Sequence, residues 1–361
     1  MAQNTEMHDV IVIGGGIAGC YLANKLKGLD VLVMEKSTAT KKDSGIVSTR
    51  YDALMGNKAV SEEIYRMEFV SPSNNILTMS SEKPIAYRLN RSKFEETLRK
   101  KLGKHVRYER ADSIRFSNDG VFVGTDACDY ECRLLVGADG ALSLARDACG
   151  FRRPNIFYGL ISEQKKPALN EMFRVYLNKY YSPDFFVWEL QNEYGIITAK
   201  RPMEYFNFFR IRAELEKNRI YGSPIAIGLT KSFRDNCILL GESCGQTKPL
   251  TGGGLIFSML SAKHAADVIS RAFNEDYFRA DLLGLYERRW RAELGWEIRK
   301  QMFFRSIYRR LTNAAIDRLF LDFGKYLENI HAFDYDHLSK LAYKMPKWKL
   351  LKAFLNIAAG M

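Results

Sequence analysis

The sequence predicts an α/β fold: a Rossmann-like domain, an antiparallel-sheet domain and a helical C-terminal region. Three observations lead there. A glycine turn near the start, "VIVIGGGIAG", lies between a β-branched run and a mostly apolar segment. A second glycine-rich stretch, "GESCGQTKPLTGGG", returns at Gly241–Gly254. Between Tyr158 and Arg212 the chain is aromatic and alternates as strands do. With 361 residues, 47% hydrophobic and 27% charged, the chain can bury a sizeable core in two domains, or in one with an insertion.

The first element is the stretch "DVIVIGGGIAGCYLANKLKGLDVLVMEK". Val10–Ile13 reads as a strand, Ile17 to Leu26 as a helix, and Asp30–Met34 as a second strand ending in Glu35. Gly14, Gly16 and Gly19 fit G-x-G-x-x-G. The first permits a tight turn, the second lets backbone N–H groups approach a pyrophosphate, and the third lets helix and strand pack closely. Glu35 falls 21 residues after Gly14, where an acid accepts hydrogen bonds from an adenosine ribose. A complete βαβ unit with its acid specifies a dinucleotide but does not choose between FAD and NAD.

Two later stretches make that choice. "CRLLVGADGALSLARDACG" has a strand at Leu134–Val136, then Asp139-Gly140, then a helix carrying Ser143 and Arg146. "NCILLGESCGQTKPLTGGGLIFSMLSAKHAADVI" has a strand at Cys237–Leu240, then Gly241-Glu242, then a helix from Gly254 to Ile269. A glycine turn feeding a helix N-terminus is again a site for an anion or polar ligand.

This ordered trio resembles the flavoprotein group that includes para-hydroxybenzoate hydroxylase and the geranylgeranyl reductases, with Glu242 where the group usually has Asp. The resemblance implies FAD, held at its two ends by the two glycine turns. It covers nearly the whole chain. "AYRLNRSKFEETL" is similar to a Y-x-x-x-R-x-x-F-x-x-x-L helix of the group, with Tyr87, Arg91, Phe94 and Leu98 in register. "DSGIVST" is similar to the C-S-G-L-V-S stretch of geranylgeranyl reductases, with Asp43 in place of the cysteine, and "KPLTGGGL" matches their proline–glycine loop. "YERRWRAELGWEIRK", "IDRLF" and "FDYDHLSKL" look like the C-terminal helices of archaeal members. "YGIITAK" keeps Tyr194 and Lys200 of a Y-x-W-x-F-P-K stretch and loses the rest.

On this resemblance the cofactor-binding residues are Gly14, Gly16, Ala18, Gly19, Glu35, Ser44, Gly45, Arg91, Ala111, Asp139, Glu242, Gly254 and Leu255. Arg91 is expected to reach the FAD phosphates. Asp43 is the candidate catalytic residue, a buried acid protonated by its surroundings; the competing use is a turn cap or FAD contact. The implied activity is an FAD-dependent reductase saturating C=C bonds of isoprenoid chains. The alternative is a flavin monooxygenase acting on an aromatic or apolar substrate. The electron donor, NADPH or ferredoxin, stays open.

The expected domains are 1–155 with 220–285 for FAD, part of 50–105 being an insertion; 156–219 for the substrate sheet; and 286–361 for the helices. Alternation in Phe173, Val175 and Leu177, and in Phe185, Val187 and Glu189, argues the sheet, with "YFNFFRIR" continuing it. Its aromatics suit an apolar, elongated substrate.

Net charge is +12, and the stretch from Tyr286 to Met361 carries fifteen Lys or Arg against eight Asp or Glu. "MPKWKLLKAFLNIAAGM" places Trp348, Leu351, Phe354 and Leu355 at helical spacing among lysines. The expected partner is an anionic membrane surface, bound peripherally on the inner, cytoplasmic side, with no nucleic acid. No run is long and apolar enough to span a bilayer, and the start does not read as a signal peptide. The six cysteines form no CxxC pair and the five histidines have no ligand spacing, so a reduced compartment and no metal are expected.

Overall fold

The computed structural model describes residues 6–56, 58–327 and 334–337, with Lys340 and Pro346. Its centre is the strand Glu6–Ile13, which pairs in parallel with Asp129–Gly137 on one side and Val31–Met34 on the other. Cys237–Leu239 and Val106–Arg107 extend the parallel run at its two ends. Parallel strands are covered on both faces and so read as unbroken apolar runs. Val10, Val12, Val33, Leu134 and Val136 face one layer of helices. Ile11, Ile13, Leu32, Met34 and Leu135 face the other side, beneath the hairpin of Ala111–Phe116 and Val121–Thr125. The helices Ile17–Ala23, Arg91–Leu102, Leu255–Asn274 and Ala280–Trp290 supply the helical layer.

A second sheet of seven strands runs, in spatial order, Ile220–Ile227, Asn155–Glu163, Glu193–Thr198, Val187–Leu190, Met172–Tyr176, Arg66–Val70 and Ile76–Ser80. All its pairings are antiparallel except Met172–Tyr176 with Arg66–Val70. Two of its strands therefore come from the insertion at 50–105. A small sheet of Ile46–Ser48, Ala86–Leu89 and Val60–Ile64 lies between the glycine-turn domain and this sheet in the chain's course.

Two expectations are corrected. "YFNFFRIR" lies in a helix, Pro202–Arg212, rather than a strand. Pro202 supplies a preset φ and needs no donor at the first helical position, and Phe206 and Phe209, three apart, reach the sheet core on one face. Tyr87 stands in the Ala86–Leu89 strand, outside the helix that holds Arg91, Phe94 and Leu98. The side chain of Asn90 accepts from the Lys93 amide at 3.0 Å and starts that helix at Arg91.

After Trp290 a single π-helical turn, Arg291–Gly295, leads into Trp296–Arg310, followed by Asn313–Leu327. The last helix rests on the edge strand Ile76–Ser80, with Asp317 accepting from the Ser73 amide at 2.9 Å. The amphipathic segment 345–361 lies outside the described residues, Pro346 apart. No helix among the described residues is long and apolar enough to cross a membrane.

Candidate functional site

A cleft open to solvent, about 1290 Å³ with its mouth included, separates the parallel-sheet domain from the seven-stranded sheet. Its polar side is built from the glycine turns. Gly14 has φ of 104°, and a Cβ there would stand 2.3 Å from the Ala138 carbonyl oxygen. At Gly19 a Cβ would stand 2.1 Å from the Gly14 carbonyl oxygen. Both glycines allow backbone to touch backbone, and neither lines the cleft. Gly16 differs: its Cβ position has nothing within 4 Å, and the residue lies on the cleft wall with Ala18.

Glu35 accepts from the Gly15 amide at 2.8 Å, which ties the end of the second strand to the turn. Arg99, buried, donates to the Gly15 carbonyl at 2.8 Å and to Glu95 at 2.7 Å, with Glu35 at 3.6 Å. The sequence reading missed Arg99 and Glu95. The available signal was their spacing: Arg91, Glu95 and Arg99 stand four apart on one helix and form a single stripe.

The second predicted acid, Asp139, does not reach the cleft. Its carboxylate accepts from the Ser143 hydroxyl at 2.5 Å and the Ala145 amide at 3.1 Å, capping a short helix; burial raises its pKa. Its neighbours Ala138 and Gly140 form the wall instead. The buried Arg146 donates to the Ala141 carbonyl at 2.9 Å and reaches the Ser243 carbonyl at 3.5 Å, joining this turn to the late glycine segment. Ala111 heads its strand away from the cleft, packed on the cluster that holds Ile13 and Met34.

The late segment faces the first turn directly. A Cβ at Gly241 would stand 3.3 Å from that of Ala18. Glu242 points to the cleft with Oε2 shielded from water and without a hydrogen-bond partner, and burial raises its pKa. Beyond it, Gly252, Gly253, Gly254 and Leu255 line the cleft where the 20-residue helix Leu255–Asn274 begins, with no side-chain cap. Arg91 also lines the cleft, and its Nε is buried and unpartnered.

Asp43 departs from expectation. Its carboxylate pairs with the Arg91 guanidinium and accepts from the Gly45 amide at 3.1 Å, with over a third of the side chain exposed. A carboxylate so placed is ion-paired and partly open to solvent, unlike the buried acid expected. Gly45, at φ of 63°, brings this loop against the Leu89 carbonyl. Ser44 lines the cleft and meets a residue the sequence reading passed over, the buried Glu193.

The opposite wall is apolar. Ile161, Phe173, Trp188, Ile197 and Ile225 from the seven-stranded sheet line the same cleft, with Phe186 just before the Val187–Leu190 strand. Tyr335 closes one end, carried by a segment anchored through Asp336 to Lys248 at 2.9 Å and to the Ser48 hydroxyl at 2.5 Å.

These residues fit an FAD. Two glycine turns meet at Gly241 and Ala18 and border one cleft; the open backbone of Gly16 lies on its wall, and two of the lining residues, Glu242 and Arg91, each carry a buried polar atom without a partner, Oε2 and Nε. A buried carboxylate without a partner costs stability unless a ligand supplies donors.

A family model described as Lycopene cyclase protein matches residues 9–173. The chain is 26% identical to digeranylgeranylglycerophospholipid reductase 2 of Methanothermobacter thermautotrophicus, over 93% of this chain and 94% of that one. It is also 26% identical, over 88% of each, to an uncharacterized protein of Methanocaldococcus jannaschii. A crystal structure of a geranylgeranyl bacteriochlorophyll reductase-like protein from Thermoplasma acidophilum superposes with a TM-score of 0.83 at 18% identity, over 97% of this chain and all of that one. The resemblance to the archaeal geranylgeranyl reductases read from the motifs is borne out over nearly the full chain, and the fold is shared with solved structures such as the flavin-dependent brominase Bmp2, at a TM-score of 0.67 and 15% identity over 98% of both chains.

Proposed function

We propose that this protein is an FAD-dependent reductase of the geranylgeranyl reductase type that saturates C=C bonds in the isoprenoid chains of lipids or their prenyl precursors. The observation that carries this reading is the continuity of the cleft. Its polar half, with Glu242, Arg91 and the glycine turns, suits the cofactor, and its apolar half, with Phe173, Trp188 and Ile197, suits an isoprenoid chain laid against it.

The residues then divide the work. Gly14, Gly16, Ala18 and Gly19 hold the pyrophosphate end, Gly14 and Gly19 by shaping the turn and Gly16 by leaving its backbone open. Glu35 serves the ribose, and Ala111 and Asp139 support these contacts from behind. Arg91 faces the phosphates. Glu242 accepts from the ribityl hydroxyls, while Ser44, Gly45, Gly254 and Leu255 border the flavin. When bound, a reduced flavin supplies the hydride that saturation of a C=C bond consumes. The chain's own part is to exclude water with the sheet wall, orient the alkene and deliver one proton. Asp43, paired with Arg91, orients that arginine and is not the proton source.

The basic tail and the exposed side chains of Trp296, Phe303, Phe208 and Ile211 support peripheral attachment to an anionic membrane, where such a substrate resides. The test of function is direct. Dithionite-reduced protein, incubated anaerobically with a geranylgeranyl lipid, is expected to yield products heavier in steps of two hydrogens. Formation of a hydroxylated product with oxygen and NADPH, and no saturated one, overturns this reading. Repeating the assay with NADPH or reduced ferredoxin in place of dithionite identifies the donor.

A further inference from the structure

Saturation of an isolated alkene consumes a hydride and a proton, and the protein must hold that proton near the cleft. We propose that Glu193 is this acid and delivers its proton through the Ser44 hydroxyl. The inference rests on the reductase reading above and names a proton path within it.

The geometry is specific. Ser44 lies on the cleft wall, between the glycine turns and the sheet, and its Oγ is in hydrogen-bond contact with Glu193 Oε1. The indole of Trp188, also on the wall, donates to the same oxygen at 3.2 Å. With the proton on Oε1, Glu193 donates to Ser44 Oγ, and the serine O–H is free to donate into the cleft. Moving one proton along each bond places it at the alkene and leaves Glu193 ionised. Arg88, at 3.4 Å from Oε2, then stabilises the carboxylate until a proton returns from solvent at the cleft mouth.

Charge balance argues that Glu193 is protonated at rest. Arg88 stands between Glu193 and Glu62, 3.4 Å from one and 3.7 Å from the other, and all three side chains are largely buried. One cation cannot neutralise two carboxylates. Of the other charged groups around the cleft, Asp43 is paired with Arg91, Glu163 with Lys42 at 2.8 Å, and Glu189 with Lys166 and the Tyr176 hydroxyl, while Lys41 and Glu242 also line it. Burial is the main cause that raises the Glu193 pKa, with Arg88 and the hydrogen bonds from Ser44 and Trp188 acting against it. Unlike Asp43, Glu193 is sealed from bulk water and meets the cleft wall through Ser44 and Trp188, of which the hydroxyl can relay a proton.

The test combines spectroscopy and kinetics on the flavin-loaded protein. Its infrared spectrum is expected to show a protonated-carboxyl carbonyl band that shifts in D₂O and is absent from Glu193→Gln. In the anaerobic assay, run with each variant saturated with flavin, Glu193→Gln and Ser44→Ala are expected to slow saturation by about 100-fold or more, with KM for the lipid little changed. The alkaline limb of the pH–rate profile should vanish in Glu193→Gln and return, shifted, in Glu193→Asp. If Gln at 193 fails to fold, Ser44→Ala and Glu193→Asp carry the test. A wild-type protein that saturates lipid while Glu193→Gln does so equally fast overturns the proton path and leaves the reductase reading intact. A wild-type protein that saturates nothing removes both, although the infrared band would still report whether Glu193 holds a proton.

Discussion

The Lys248 ammonium and the Asp336 carboxylate meet at 2.9 Å with both side chains almost wholly withdrawn from solvent. The pair joins the proline–glycine loop on one wall of the cleft to the segment that presents Tyr335. Removing one partner leaves an uncompensated buried charge. Asp336→Asn or Lys248→Met is therefore expected to cost about 3–5 kcal/mol in urea unfolding, and the double variant Lys248→Met/Asp336→Leu to recover part of that loss. Additive losses in the double variant would show that the two do not act as a pair.

The two kinds of glycine in the first turn should separate folding from binding. Gly19→Ala forces a Cβ against backbone and is expected to destabilise the protein by about 1–3 kcal/mol. Gly16→Ala meets no atom within 4 Å, and its φ of −75° suits any residue, so thermal stability should hold. Flavin affinity should fall, because the methyl occupies space on the cleft wall. The purified wild type should be yellow, and the cofactor released by heat should chromatograph as FAD. Release of NAD, or of no flavin, would contradict the two-ended binding.

Glu242→Gln should move stability and binding in opposite directions. Burial raises the pKa of Glu242, so the protein without flavin binds this proton more tightly folded than unfolded. Its contribution to stability is fully present below the ordinary carboxylate pKa and is lost as pH rises through the raised folded value. Glu193, Asp139 and Glu95, all raised chiefly by burial, add to the same trend. At neutral pH the flavin-free Glu242→Gln protein should therefore melt above wild type, with a flatter pH dependence. Its flavin affinity should fall by roughly 1–3 kcal/mol, the value of hydrogen bonds to a charged acceptor. Titration calorimetry and pH-resolved melting check both signs.

Asp43→Asn should cost no more than about 1 kcal/mol, since its pairing with Arg91 is partly exposed to solvent. The small loss should shrink further in high salt. The alkaline limb of the pH–rate profile should survive, in contrast to Glu193→Gln. Loss of that limb in Asp43→Asn would return the proton to Asp43.

Sedimentation with anionic vesicles should show binding at low salt that high salt reverses, each basic residue near the surface contributing about 1 kcal/mol. Deleting the residues after Met345 should weaken it. Binding indifferent to that deletion would move the contact to the exposed aromatic side chains of the described helices.

The parts of this molecule legible in sequence are those whose cause is local. The Gly14–Gly19 turn, the strand ending at Glu35 and the long helix after Gly254 each follow from spacing within about thirty residues. Arg91, Phe94 and Leu98 were found because they match a motif of the flavoprotein group that the chain resembles. Glu193 was passed over because its meaning comes from Ser44, 149 positions away, and its own surroundings, "QNEYGIITAK", read as ordinary strand. Asp336 is likewise explained by Lys248, 88 positions away. "YFNFFRIR" misled because its aromatics satisfy both periods, and only Pro202 before them favours the helix. Asp43 was placed correctly on the cleft, but its exposure and its guanidinium partner are tertiary facts.

The parallel pairing of Arg66–Val70 with Met172–Tyr176 sets an order on how the molecule is made. The insertion strands must wait about a hundred residues for their partner, and the central strand Glu6–Ile13 waits still longer for Asp129–Gly137. Closing such long loops is slow, because the entropy is lost before the contacts form. The late glycine segment and Tyr335 come after all of these. A chain emerging from the ribosome therefore has no complete cleft until Tyr335 is synthesised, and flavin binding should follow that point rather than the earlier folding of either glycine turn.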